Sequence, residues 1–150
     1  MTTKPKFYLT TAIAYTNGAP HIGHAYEVVA SDAIARFKRL DGHDVFAMTG
    51  TDEHGQKVQR VAAQKGVSPK AYVDEIAALF KAMGEKLNCS FDRFIRTTDA
   101  DHLDVTQELW RRMEANGDIY LGGYSGWYSV RDEAFYNEDE TTLQRSEERR

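Results

Sequence analysis

Cysteine is nearly absent from this chain of 150 residues: Cys89 stands alone. A single thiol excludes a disulfide framework and a cysteine-based zinc knuckle. A basic excess is missing too. The formal net charge is −4, which argues against indiscriminate nucleic-acid binding, since that needs a basic stripe; a local RNA contact stays open. No apolar run approaches membrane-spanning length, and residues 1–6 lack the apolar core of a secretion signal. The expectation is a cytoplasmic protein without membrane association. Internal repeats and low-complexity segments are also lacking. What is present, 41% hydrophobic and 28% charged residues at a length suited to one domain, is the composition of a soluble globular protein with a sizeable core.

Apolar patterning alternates between strand and helix. Residues 6–14 read as a buried strand, closed by the Asn17-Gly18 turn signal. Residues 21–40 carry helical spacing, with Ile22, Ala25, Val29, Ala33, Phe37 and Leu40 as the expected apolar stripe and Gly42 as the stop. Residues 44–50 form a second short strand. Strand, helix, strand in this length makes a right-handed βαβ unit with parallel strands. A polar loop follows, Thr51-Asp52-Glu53-His54-Gly55. Helices are expected over 56–65, from the Ser68-Pro69 cap through Leu87, and over 101–116, with a short extended piece near 94–97. In the second of these, Val73, Ile76, Phe80, Met83 and Leu87 give a core-facing seam. From Ile119 the texture turns aromatic and glycine-rich, and 119–121, 124–130 and 133–136 read as antiparallel strands of a different subdomain. The charged stretch 138–150 reads as exposed or disordered.

The chemistry concentrates in Tyr15-Thr-Asn17-Gly18-Ala-Pro20-His21-Ile-Gly23-His24. A strand that feeds a Gly/Pro loop and then a helix is a place to hold a phosphate chain, because the helix start leaves free N–H donors and carries the positive dipole end. His21 and His24 share one face of the first turn. Gly23 between them costs a helix interior about 1 kcal/mol relative to alanine, and close approach of a flat ligand ring is one reason for it. Surface histidines are the plain alternative, and a metal would need a third ligand such as His54. Asp52 lies past the carboxyl end of the adjacent strand, the edge where open α/β sheets bind ligands, and a carboxylate there can hold an ammonium group. Ile13 and Tyr15 either line a small apolar pocket or pack the core. Cys89 reads as an inert packed thiol. The aromatic group Tyr120, Tyr124, Trp127, Tyr128, Phe135 and Tyr136 either packs the small subdomain or stacks bases.

The run from Phe7 to His24, ending in His21-Ile22-Gly23-His24, resembles the start of a methionyl-tRNA synthetase, a class I aminoacyl-tRNA synthetase with the HIGH signature. The likeness continues through Gly50-Thr51-Asp52-Glu53-His54-Gly55-Gln56-Lys57 and Gly126-Trp127-Tyr128-Ser129-Val130-Arg131-Asp132-Glu133, the last typical of bacterial forms whose connective insertion lacks zinc cysteines. It implies an α/β fold. Residues 1–117 would be the first half of a Rossmann-like parallel nucleotide-binding sheet, 118–143 the start of a small antiparallel insertion, and 144–150 a charged tail. It also implies roles. His21 and His24 would bind the ATP phosphates and stabilise the transition state, Gly23 would let adenine lie against the backbone, and Asn17 would orient the loop. Ala12, Ile13 and Tyr15 would line the methionine pocket, and Asp52 would take the α-ammonium group. Methionine, ATP with Mg²⁺, and tRNA(Met) are the implied partners, with no zinc; oligomeric state is left open.

Departures matter as well. Nothing reads Lys-Met-Ser-Lys-Ser, the family's second signature, and the anticodon-binding helices are missing. The expectation is an amino-terminal part of such an enzyme, weak or inactive alone, whose half-sheet exposes an unpaired edge. Two alternatives stand beside it: a small nucleotidyltransferase of the same superfamily, and a non-catalytic module that binds tRNA or a partner.

Overall fold

The computed structural model describes residues 4–137. The chain forms two compact units, which meet in sequence at Trp110 and Arg111. The first contains a parallel sheet of β1 (Lys6–Thr10), β2 (Ala14–Tyr15), β3 (Asp44–Asp52) and β4 (Arg93–Arg96). Its helices are α1 (Ile22–Leu40), α2 (Gln56–Lys65) and α3 (Pro69–Lys86), and α4 (Ala100–Ala115) follows. Beyond it, β5 (Trp127–Ser129) and β6 (Ala134–Tyr136) form an antiparallel pair.

β3 is the central strand, flanked on one side by β1 and β2 and on the other by β4. The single strand expected over 6–14 is interrupted. Three residues separate Thr10 from Ala14, but two separate their partners Met48 and Thr51, so one extra residue bulges from this edge. The bulge leaves Ala12 and Ile13 exposed. β3 in turn runs two residues further than the pattern suggested. Thr51 and Asp52 belong to the strand because Ala14 and Tyr15 pair with them.

Both crossovers, β1 to β3 through α1 and β3 to β4 through α2 and α3, join adjacent parallel strands. Right-handed connections place α1 and α3 on the same face of the sheet. The edge-to-face contact of His24 with Phe80, at 4.9 Å between ring centres, agrees. On the opposite face Tyr8 and Phe46 stack on each other at 5.9 Å and remain largely exposed. Among the described residues this face of the sheet is therefore uncovered around Tyr8 and Phe46.

The core gathers Val58 and Ala62 of α2 with Tyr72, Val73, Ile76 and Phe80 of α3. Ser68 caps α3 by accepting the Ala71 N–H at 3.2 Å, with Pro69 at the first helical position, as read from the sequence. Leu87 departs from its expected seam: it ends the helix, and Asn88 turns left-handed after it, leaving Leu87 exposed.

The α1 stripe needs a larger correction. Ile22, Val29, Phe37 and Leu40 are exposed, and the buried residues are Val28, Asp32 and Ala35. A buried aspartate is tolerable because it is fully engaged. Its carboxylate accepts the Ser90 N–H and hydroxyl, each at 2.6 Å, and the Arg36 guanidinium. Burial pushes the Asp32 pKa up, but the donors from Ser90 and Arg36 outweigh it and hold the group below its ordinary value.

In the second unit residues 119–121 form no strand, and β5 and β6 are shorter than the spans read from the sequence. Phe135 contacts Tyr124 and Tyr128 at 4.8 and 4.9 Å, so these three rings pack on one another at the hairpin, though they remain exposed, as do Tyr120 and Trp127. The charged stretch 138–150 lies outside the described residues. Among the described residues no helix is long and apolar enough to cross a membrane.

Candidate active site at the strand ends

The first turn of α1 is built from its own histidines. His21 is the N-cap, in extended conformation, and its Nδ1 accepts the Gly23 N–H at 3.1 Å. Nδ1 of His24 accepts the His21 N–H at 3.2 Å, closing a reciprocal capping box. The two rings stack with centroids 3.9 Å apart. Two of the donors expected to be free are therefore engaged. With both Nδ1 atoms accepting, a neutral imidazole carries its proton on Nε2, so the pair offers two N–H donors at the positive end of the helix. Burial first, then the nearby His21, lower the pKa of His24, against a smaller opposing effect of Glu27. Gly23 has a local reason for being glycine: a Cβ there would lie 3.0 Å from Cε1 of His21.

The bulge sits directly beside this turn. The Ala12 N–H donates to Glu27 of α1 at 2.9 Å, tying the bulge to the histidine helix. Ala12, Ala14, His24, Glu27, Phe80 and Phe94 border a cavity of about 430 Å³, within the size range of small-molecule sites. Tyr15 packs partly buried against the core, and its hydroxyl closes on Gly55. A Cβ at Gly55 would stand 2.3 Å from that oxygen, and its φ of +126° also demands glycine.

The carboxyl end of β3 holds two neighbouring acids in different states. Asp52 is half-buried, and its carbonyl accepts both the N–H and the hydroxyl of buried Thr16, each at 3.1 Å. Glu53, read as part of a polar loop, is buried. It accepts from Thr51 at 2.7 Å, from Arg96 at 2.6 and 2.9 Å, and from Thr98. Burial raises its pKa, but these donors, Arg96 foremost, bring it below the usual glutamate value. His54 is exposed, with Nε2 3.3 Å from the Thr97 carbonyl, and among the described residues no three metal-ligating side chains gather.

The paired histidines, the bulge and the acidic strand end thus all lie at the carboxyl ends of the parallel strands. A family model for class I (M) tRNA synthetases matches residues 7–145. The chain belongs to that family. It is 65% identical over 137 residues to the methionine–tRNA ligase of Mycobacterium tuberculosis (strain CDC 1551 / Oshkosh), covering 91% of this chain and 26% of the relative. It is 57% identical over 140 residues to that of Mesorhizobium japonicum, covering 93% of this chain and 27% of the relative. The chain therefore spans about a quarter of the length of these relatives. The crystal structure of M. tuberculosis methionyl-tRNA synthetase bound by methionyl-adenylate superposes with a TM-score of 0.87 at 64% identity, over 94% of this chain and 28% of that one. The fold matches the parallel-sheet part of that synthetase.

Of the residues singled out in the sequence, His21, Gly23 and His24 form the first turn of α1, and Tyr15 pairs with Asp52 across β2 and β3. Ala12 borders the cavity and stands with Ile13 in the exposed bulge, and Asn17 is exposed on the loop after β2. Glu27, Thr16, Glu53 and Arg96, which hold the bulge and the end of β3, were not singled out in the sequence. For Arg96 no local pattern points to the site. Glu27, three residues beyond His24, lies on the same helical face, which was a usable signal.

Proposed function

We propose that this chain carries the ATP-phosphate and methionine-ammonium contacts of a methionine–tRNA ligase. The reaction is attack of the methionine carboxylate on the α-phosphorus of ATP, releasing pyrophosphate and forming methionyl-adenylate, followed by transfer to tRNA(Met). The observation that carries this reading is the reciprocal cap of His21 and His24. It presents two Nε2–H donors at a helix start, as charge developing on a phosphoryl group requires. Asn17 orients the loop, and Gly23 leaves the helix start accessible to adenine. Ala12, Ile13 and Tyr15 form one wall of the methionine pocket, and Asp52 takes the α-ammonium group by a charge-assisted bond. Mg²⁺ accompanies ATP as part of the substrate. The single cysteine supports a form without a zinc knuckle. Residues 1–117 belong to the nucleotide-binding sheet and 118–143 to the insertion, in a cytoplasmic enzyme.

Calorimetric titration with a sulfamoyl analogue of methionyl-adenylate tests the reading. Wild type should bind. His24→Ala should weaken the analogue by about 10²-fold with the fold intact, the scale of losing one such donor. Asp52→Ala should weaken methionine far more than ATP. Equal losses for both ligands would remove Asp52 from its role. ATP–pyrophosphate exchange by the 150-residue chain alone should be weak.

A further inference from the structure

The peptide between Asp52 and Glu53 is gripped from two sides. Thr16 holds the Asp52 carbonyl, and the Glu53 N–H donates to Thr97 Oγ1 at 2.9 Å. Beneath it lies a charged network. The Glu53 side chain is fully inaccessible, and both of its oxygens are held by the fork of Arg96. Arg96 reaches onward to Asp74 of α3 at 2.6 Å, while its own N–H donates to Asp99 at 3.0 Å.

A buried ion pair is a poor stabiliser, because desolvation consumes most of its attraction; well-packed apolar residues often do as well or better. What such a pair supplies is a single geometry. Alternation along the extended chain sends the carboxylates of Asp52 and Glu53 to opposite sides. Fixing Glu53 therefore fixes the direction of Asp52. Neutralising Glu53 with Arg96 also leaves Asp52 as the acid that a cationic ligand group meets at this strand end.

We propose that Arg96 and Glu53 are positioning residues that set the Asp52 carboxylate for the ammonium group of the amino-acid substrate. The proposal rests on the methionine reading above. Neither residue touches substrate; both act through the backbone of 52–54.

The test compares wild type with Glu53→Gln, Arg96→Lys, Arg96→Met and the apolar double variant Glu53→Leu/Arg96→Met. One readout is the affinity ratio between L-methionine and 4-(methylthio)butanoate, which lacks the ammonium group, with ATP affinity as control. The ratio should fall at least about tenfold in Arg96→Met and in the double variant, the size of one charge-assisted contact, with partial rescue in Arg96→Lys. ATP affinity should hold. The double variant should melt close to wild type yet still discriminate poorly, which a purely structural role does not allow. The second readout, amide exchange at Glu53 and His54, needs no ligand. It should accelerate in Arg96→Met while the amides of α1 stay unchanged. An unchanged ratio, or exchange that accelerates everywhere together, overturns the proposal. If wild type itself ignores the ammonium group, the methionine reading falls with the role assigned to Asp52, and the exchange data still decide whether the pair holds residues 52–54.

Discussion

His24 caps the N–H of His21 through Nδ1 at 3.2 Å, and His21 in turn caps Gly23, so each ring anchors the turn that carries the other. An imidazolium has no Nδ1 lone pair and cannot accept. The device that orients the donors is therefore sensitive to pH.

Burial and the adjacent His21 hold His24 below its ordinary value of 6.5. A base with a depressed folded pKa contributes stability that is fully present above its unfolded value and is lost as pH falls through the folded one. The melting temperature should decline below pH 6.5 as the unfolded chain takes up its proton first. His24→Gln should flatten that part of the curve. Imidazole titration by NMR checks the assignment, and a His24 midpoint above 6.5 would contradict it.

Gly23→Ala separates two effects of opposite sign. Helix propensity favours alanine by about 1 kcal/mol. The new Cβ, however, would press on the His21 ring at 3.0 Å and disturb its cap. Stability should change little or rise slightly, while affinity for ATP falls several-fold. Isothermal titration beside a urea melt measures both, and unchanged ATP affinity would leave the glycine without this role.

Asp32→Ala should destabilise the first unit by about 1–3 kcal/mol, because Ser90 and Arg36 lose a buried acceptor. The wild-type Asp32 pKa lies below its ordinary value, so its contribution is present above that value and lost as pH falls through the folded one. Acid unfolding followed by circular dichroism should show a shallower limb in Asp32→Asn. An unchanged limb would mean that the carboxylate adds nothing to the link between α1 and the segment around Ser90.

Much of the fold could be read from local signals. Helix boundaries followed caps and glycines, as at Ser68 and Gly66, because their chemistry acts within one turn. The inward seam of α3 followed its periodicity. The stripe of α1 misled, because an apolar period says that a helix has a preferred face but not which neighbour covers it. Asp32 is inside because Ser90, distant in sequence, meets it; Phe37 and Leu40 are outside because nothing among the described residues covers them.

Residue spacing alone was enough to place a strand, a loop and a histidine-bearing helix in order. Those features depend on contacts within a few residues, which composition and spacing encode directly. Long-range packing fixed that Ala12 and Ile13 bulge outward, that Glu53 is buried while Asp52 is half-buried, and that Glu27 meets the bulge and Arg96 meets Glu53. Each of these rests on a partner brought near by sheet register or helix packing, and register is a property of two strands together.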